Sequence, residues 1–212
     1  MNISIIVFPG SNCDRDIATA IIKCLKITPQ MLWHKETEIQ KTDLIILPGG
    51  FSHGDYLRSG SIASRAPIMN DVLKKAKNGT PILGICNGFQ ILTECNLLPG
   101  ALMPNSSMKF ICKYVDLVSS TKNYWVPENE INKIISYPIA HQDGNYFASS
   151  EIIQVLENEN RIILKYCSNN GKIDKANNPN GSINNIAGIT DKTGRIFAVS
   201  YTHLRAHETD SY

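Results

Sequence analysis

Residues 81–90 read Pro81-Ile82-Leu83-Gly84-Ile85-Cys86-Asn87-Gly88-Phe89-Gln90, an apolar run that ends on a cysteine set between glycines and then passes into the helical spacing of Phe89, Ile91 and Leu92. A buried strand that turns sharply into a helix is the simplest account of that pattern. Such a turn holds its central side chain in a strained, exposed position. The flanking glycines let backbone approach without a Cβ clash, so the stretch has the form of a nucleophile elbow with cysteine in place of serine. At a helix N-terminus the dipole and free N–H groups are expected to favour the Cys86 thiolate. A cysteine ending a core strand is more often a small buried hydrophobe, and the glycines are what set Cys86 apart.

Upstream, Ile3 to Phe8 is an apolar run closed by Pro9-Gly10, and Ile17, Ala18, Ile21, Ile22 and Leu25 follow at helical spacing over Asp14 to Leu25. Met31 to Trp33 and Leu44 to Leu47 are further strand candidates, and Ala66 to Lys77 a helix. Continuously apolar strands alternating with helices predict an α/β fold with a mostly parallel central sheet flanked by helices. From about Phe110 the texture becomes β-rich, with strand-like runs at Tyr114 to Val118, Ile152 to Leu156 and Ile162 to Tyr166. Ser168 to Asn185 is rich in Asn, Gly and Lys and reads as a long loop running into a last strand around Ile186 to Ile189. Ligands of open α/β sheets bind beyond the carboxyl ends of the strands, so the loops after Leu47 and Ile85 are where chemistry is expected. The first of these, Leu47-Pro48-Gly49-Gly50-Phe51, can turn backbone N–H groups toward a developing negative charge as an oxyanion hole requires.

The 212 residues, 42% of them apolar, can bury a sizeable core, and 21 basic against 19 acidic residues leave a net charge of +2 without the basic run of a nucleic-acid binder. Apolar stretches such as Pro81 to Ile85 fall far short of the roughly 20 residues that cross a bilayer. Met1 to Gly10 lacks the basic start of a signal peptide, so no membrane partner and a cytoplasmic location are expected. The six cysteines have no C-x-x-C pair and irregular spacing, which predicts reduced thiols, most of them packed in the core. His34, His53 and His141 are scattered, so no metal site is expected, although His141 ends an apolar run and has a possible place near the site. Neither Pro9-Gly10-Ser11-Asn12 nor Gly49 to Gly54 is completed to a P-loop, so no cofactor is expected on this chain.

Taken together, Phe8-Pro9-Gly10-Ser11-Asn12-Cys13-Asp14, Leu47-Pro48-Gly49-Gly50-Phe51-Ser52, Gly54-Asp55-Tyr56-Leu57-Arg58, Cys86-Asn87-Gly88-Phe89-Gln90, Pro138-Ile139-Ala140-His141 with Gly144-Asn145-Tyr146, and Asn178-Pro179-Asn180-Gly181-Ser182 resemble class I glutamine amidotransferases. More narrowly they resemble the glutaminase subunits of phosphoribosylformylglycinamidine synthase, over about Ile3 to Phe197. The resemblance implies a flavodoxin-like fold and a catalytic Cys86 that attacks the side-chain amide of glutamine. It implies an oxyanion hole from the N–H groups of Gly50 and Asn87, and substrate binding by Gln90. It also implies that ammonia passes to a large synthetase subunit, which holds ATP and magnesium, in a complex with a small accessory subunit.

The family completes its catalytic triad with His-Pro-Glu near the C-terminus, just after the strand matching Gly194 to Phe197. Here the chain instead reads Val199-Ser200-Tyr201-Thr202-His203-Leu204-Arg205-Ala206-His207-Glu208-Thr209. That stretch can be back-translated into a transposase adaptor used in sequencing libraries. The expectation is therefore a C-terminally truncated amidotransferase domain over 1–197 and a non-native tail over 198–212. A natural tail in which His203, or His207 with Glu208, serves the cysteine is the competing expectation. It would leave a catalytically impaired, glutaminase-like scaffold as the alternative function. A third reading is a cysteine-elbow protein of the intracellular protease or stress-chaperone type, disfavoured by Phe89-Gln90 and the amino-terminal motif.

Overall fold

The computed structural model describes residues 1–202; His203, His207 and Glu208 lie outside the described residues. The amino-terminal part alternates strand and helix as the apolar runs predict: β1 (Ile3–Val7), α1 (Asp14–Leu25), β2 (Gln30–Trp33), β3 (Leu44–Leu47), α2 (Met69–Lys77), β4 (Ile82–Ile85) and α3 (Asn87–Glu94). Then come β5 (Ala101–Met103), β6 (Ile111–Val118), β7 (Ile134–His141), β8 (Asn145–Phe147), α4 (Ser150–Asn158), β9 (Ile162–Cys167), β10 (Ile186–Thr190) and β11 (Ile196–Val199). Nine strands form one sheet in the order β2-β1-β3-β4-β11-β10-β9-β6-β7, and β5 pairs with β8 in a separate ribbon. Pairing is parallel from β2 to β11 and antiparallel from β11 to β7.

The parallel strands alternate their burial between two faces. Ile3 and Ile5 of β1 pack with Ile17 and Ile21 of α1 on one side. On the other side Ile6, Ile45 and Leu47 pack with Met69 and Val72 of α2, Phe89 and Leu92 of α3, and Ile153 and Leu156 of α4. Both faces of the sheet are covered, which is what strands without polar alternation require. The carboxyl ends of β1, β3 and β4 therefore open at one edge of a three-layer body.

Three readings change. Ile152 to Leu156 is helical, not a strand: Ser149 caps α4 by accepting the Ile152 N–H, and the buried pair Ile153 and Leu156 is spaced for one helix face. In so short a run the β-branched residues mask the period. The helix expected from Ala66 begins at Met69, after a short 3₁₀ turn at Ala63–Arg65 and the restrictive Pro67. Nor is the strand at Ile186 to Ile189 the last: β10 is followed by β11, which runs two residues past Phe197 between β4 and β10. All six cysteines are free; Cys13, Cys86 and Cys167 are buried, while Cys24 and Cys112 are exposed. Among the described residues no helix is long and apolar enough to cross a membrane, and no group of three or more His, Cys, Asp and Glu is placed to hold a metal ion.

Candidate active site

Cys86 stands between β4 and α3 with φ 50 and ψ −101, a backbone region that costs a non-glycine residue about 1–3 kcal/mol. The neighbouring structure over-determines it. The Cys86 N–H donates to the Val199 carbonyl at 2.8 Å, and its own carbonyl accepts from Phe89 N at 2.9 Å. A Cβ on Gly88 would lie 2.1 Å from the Leu47 carbonyl oxygen, so only glycine lets the start of α3 press against β3. Strand, glycine and helix together force the turn that the sequence pattern predicts.

The loop after β3 is held just as firmly. Gly50 has φ 138, and a Cβ there would meet Asn12 N and Gly10 O at 2.5 Å. The opening motif braces this loop through Phe51 N to Gly10 O at 2.8 Å, His53 N to Pro9 O at 2.7 Å and Cys13 N to Gly49 O at 3.3 Å. Asn87 ties loop and elbow together, since its side-chain Oδ1 accepts from Ser52 N at 3.3 Å and its Nδ2 donates to Gln90 Oε1 at 2.7 Å and to Asp55 Oδ1 at 3.2 Å. Gln90 in turn donates to the Asp143 carbonyl at 2.8 Å.

These elements enclose a cavity of about 270 Å³, lined by Gly50, Cys86 and Gln90 on one side and Ala140, His141, Gln142 and Asp143 on the other. Of the residues singled out by sequence, Gly50, Cys86 and Gln90 thus share one cavity, while Asn87 follows the cysteine and is buried behind it. Asp55, Ser59 and Asp143 were missed. Ser59 donates to Asp143 Oδ2 at 2.6 Å, and burial pushes the Asp55 carboxyl up to about 6. The stretch Gly54 to Arg58 carried the signal for Asp55, but nothing in its spacing says that it folds back over α3.

The Cys86 thiol departs from expectation. The Asn87 N–H does favour the thiolate, as a helix N-terminus should, yet burial outweighs it and, with Cys13 and Asp55 nearby, pushes the thiol up to about 12. The resting group is a protonated thiol, so for Cys86 to act as a nucleophile a base must take its proton. His141 lines the cavity but burial holds its imidazole down to about 4, and both ring nitrogens are buried without a partner.

A family model for the CobB/CobQ-like glutamine amidotransferase domain matches residues 1–207. A glutamine amidotransferase from Thermotoga maritima, 15% identical, superposes with a TM-score of 0.58 over 95% of this chain and 75% of that one, a likeness of fold alone. Fold and family model define the class: this is a glutamine amidotransferase domain. Phosphoribosylformylglycinamidine synthase subunit PurQ of Synechocystis is 46% identical over 196 residues, covering 92% of this chain and 88% of the relative. The same subunit of Zymomonas mobilis is 47% identical over 201 residues, covering 94% and 87%. A chain of the PurLQS structure from Thermotoga maritima is 38% identical, with a TM-score of 0.81 over 94% of this chain and 86% of that one. The chain belongs to the family of PurQ subunits of phosphoribosylformylglycinamidine synthase.

Proposed function

We propose that this chain is the glutaminase subunit of a phosphoribosylformylglycinamidine synthase. The observation that carries the reading is that the strained Cys86 shares one wall of a cavity with Gln90 and Gly50. Cys86 Sγ attacks the side-chain amide carbon of glutamine after a base removes the thiol proton. The tetrahedral oxyanion is held by the N–H groups of Gly50 and Asn87. Collapse breaks the C–N bond, the leaving nitrogen takes a proton and departs as ammonia, and a thioester remains on Cys86. Water adds to the thioester, giving glutamate and the free thiol. Gln90 orients the substrate from the floor of the cavity.

Ammonia is delivered to a large synthetase subunit, which with a small accessory subunit converts formylglycinamide ribonucleotide to formylglycinamidine ribonucleotide in purine synthesis. ATP and magnesium belong to that partner, and the complex works in the cytoplasm. Exposed Tyr56 and Leu57 on the loop over the cavity mouth, with Phe51, Met108 and Phe110 nearby in the exposed apolar set, suit a surface that a partner covers. The amidotransferase domain is read as residues 1–197, with 198–212 non-native. The Ala198 and Val199 positions in β11 demand only small apolar side chains, which an unrelated sequence can supply by chance.

The test is glutamate release from glutamine by the chain reconstituted with its synthetase subunits, with and without Cys86→Ala. Release that survives the substitution would sink the reading, as would the absence of a thioester-linked or alkylated Cys86 after treatment with a glutamine analogue that carries a diazoketone.

A further inference from the structure

The far wall of the cavity is the turn between β7 and β8, residues 142–144, entered from Ala140 and His141. Two of its carbonyls face the cavity. Ala140 O lies 4.0 Å from Cys86 Sγ, and Asp143 O accepts from Gln90. The carbonyls of His141, Gln142 and Gly144 and the Gly144 N–H meet buried groups that the chemistry above does not use.

Asn105, fully buried, donates Nδ2 to His141 O at 2.8 Å and accepts from Gly144 N at 3.1 Å, while its own N–H donates to Gln142 O at 2.9 Å. Asn180, also fully buried, donates Nδ2 to Gly144 O at 2.7 Å. Ser182 accepts from Tyr146 N at 3.0 Å, and its single hydroxyl hydrogen is shared between Asn180 Oδ1 at 2.8 Å and Gly144 O at 3.2 Å. The two asparagines are joined as well, because Ser106 N donates to Asn180 O at 2.9 Å. Asn178 holds the loop's own shape by accepting from Gly181 N at 2.9 Å and donating to Ser182 O at 2.7 Å.

The turn has little slack. A Cβ on Gly144 would fall 2.1–2.4 Å from three atoms of the His141 ring, so the imidazole lies directly on the Gly144 backbone. A shift of the Gly144 carbonyl therefore displaces His141, and with it the wall opposite Cys86. Buried amide side chains that satisfy backbone groups on two segments at once fix geometry to a fraction of an ångström, because any displacement leaves polar atoms unpaired.

We propose that Asn180, acting with Ser182 and Asn105, is a positioning residue for glutamine: the Asn178–Ser182 loop clamps the back of the 142–144 turn and sets the width of the cavity between His141–Asp143 and Cys86–Gln90. The proposal rests on the reading that glutamine occupies this cavity. It assigns a task to the Asn-Pro-Asn-Gly-Ser stretch, which lies far along the chain from the nucleophile and does not line the cavity.

Glutamine affinity of the full chain, measured by titration calorimetry, is to be set beside the rate at which iodoacetamide alkylates Cys86. Asn180→Ala is expected to weaken glutamine binding at least tenfold while the alkylation rate stays within twofold. Ser182→Ala is expected to weaken it severalfold, and Ser182→Thr, which keeps the hydroxyl, to restore most of the loss. A clamp that is only structural would lower the melting temperature and leave the glutamine affinity unchanged, and that result overturns the proposal. Should Asn180→Ala not fold, the Ser182 pair decides, since equal affinities for Ser182→Ala and Ser182→Thr at the wild-type value are equally fatal. Absence of any glutamine binding by the unaltered chain would instead refute the functional reading, and the clamp with it.

Discussion

The Asn87 side chain donates to Gln90 Oε1 at 2.7 Å, so the amide of Gln90 is held with its Nε2 turned to the Asp143 carbonyl on the opposite wall. The same Asn87 side chain receives the Ser52 N–H from the loop that carries Gly50. One buried amide therefore fixes Gln90, the proposed substrate-binding residue, and the loop of the proposed oxyanion hole relative to the elbow. Asn87→Ala keeps the backbone N–H but leaves Ser52 N–H and Gln90 Oε1 without this partner, a cost of about 1–3 kcal/mol. The expected result in steady-state glutaminase kinetics is a KM for glutamine raised about tenfold with a much smaller change in kcat, a split expected on losing ground-state alignment rather than a transition-state donor. A kcat loss of the same size as the KM rise would mean that the side chain acts on the transition state itself.

The raised thiol makes a second prediction. With Cys86 pushed up to about 12 by burial, alkylation of the free chain by iodoacetamide should climb about tenfold per pH unit from pH 8 upward, with no plateau below about pH 11. Peptide mass mapping separates the Cys86 adduct from those of the exposed Cys24 and Cys112. A plateau for Cys86 near pH 7 would show that the helix N-terminus outweighs burial after all.

This balance is also where sequence reading reached its limit. The strand-turn-helix at Cys86, the alternation of β1, α1 and β3, and the Gly50 loop were legible because glycine spacing and apolar period report local geometry. The effect of burial on the Cys86 thiol was not, because it depends on how Cys13, Asp55 and the β7–β8 turn close around the sulfur from separate parts of the chain. Asp55, Ser59 and Asp143 stayed hidden for the same reason. Helix α4 was misread because Ile152, Ile153, Val155 and Leu156 form a run too short, and too rich in β-branched residues, for its period to stand out.

His141 predicts an acid sensitivity with a defined sign. Burial holds its imidazole down to about 4, so it stays neutral in the fold while the unfolded chain takes up a proton near 6.5. Its contribution to stability is complete above about pH 6.5 and is lost as pH falls toward 4, for a total of about 3 kcal/mol. Asp55, raised to about 6, works in the opposite direction over part of that range, so the informative quantity is the difference between chains. His141→Phe, whose ring can rest on Gly144 in the same way, should lose less melting temperature than the wild type between pH 7 and pH 5. Parallel curves for the two chains would remove His141 as the cause.

The loop above the cavity stores strain. His53, Asp55 and Leu57 have φ values of 54, 51 and 70, each costing about 1–3 kcal/mol for a residue with a side chain, and the outcome is that Leu57 is 91% and Tyr56 74% exposed. Local packing does not repay that exposure, whereas a covering partner would. Leu57→Asp is expected to weaken assembly with the synthetase subunit at least tenfold in a sedimentation or calorimetric titration, while alkylation of Cys86 in the isolated chain stays unchanged. Assembly at wild-type affinity would move the partner contact to another face.

The chain emerging from β11 passes directly beside Cys86, since a Cβ placed on Gly49 would lie 3.4 Å from Cys86 Cβ and 3.5 Å from the Thr202 carbonyl. A base that takes the thiol proton is best supplied from this point, where the resemblance leads one to expect a His-Pro-Glu motif. With burial pushing the thiol up to about 12, the group is protonated near neutral pH, so the base decides the rate. Amplifying and sequencing the 3′ end of the source gene directly, without a transposase-built library, should return a His-x-Glu motif soon after Phe197. A chain carrying that ending should then exceed the present one in glutaminase rate within the complex by at least about a hundredfold, the lower end of what a positioned base contributes, and lose that gain on substitution of the histidine. If the gene itself encodes Val199 to Thr209 as given, the tail is native, and the same assay with His203→Ala and His207→Ala would determine whether either histidine serves Cys86.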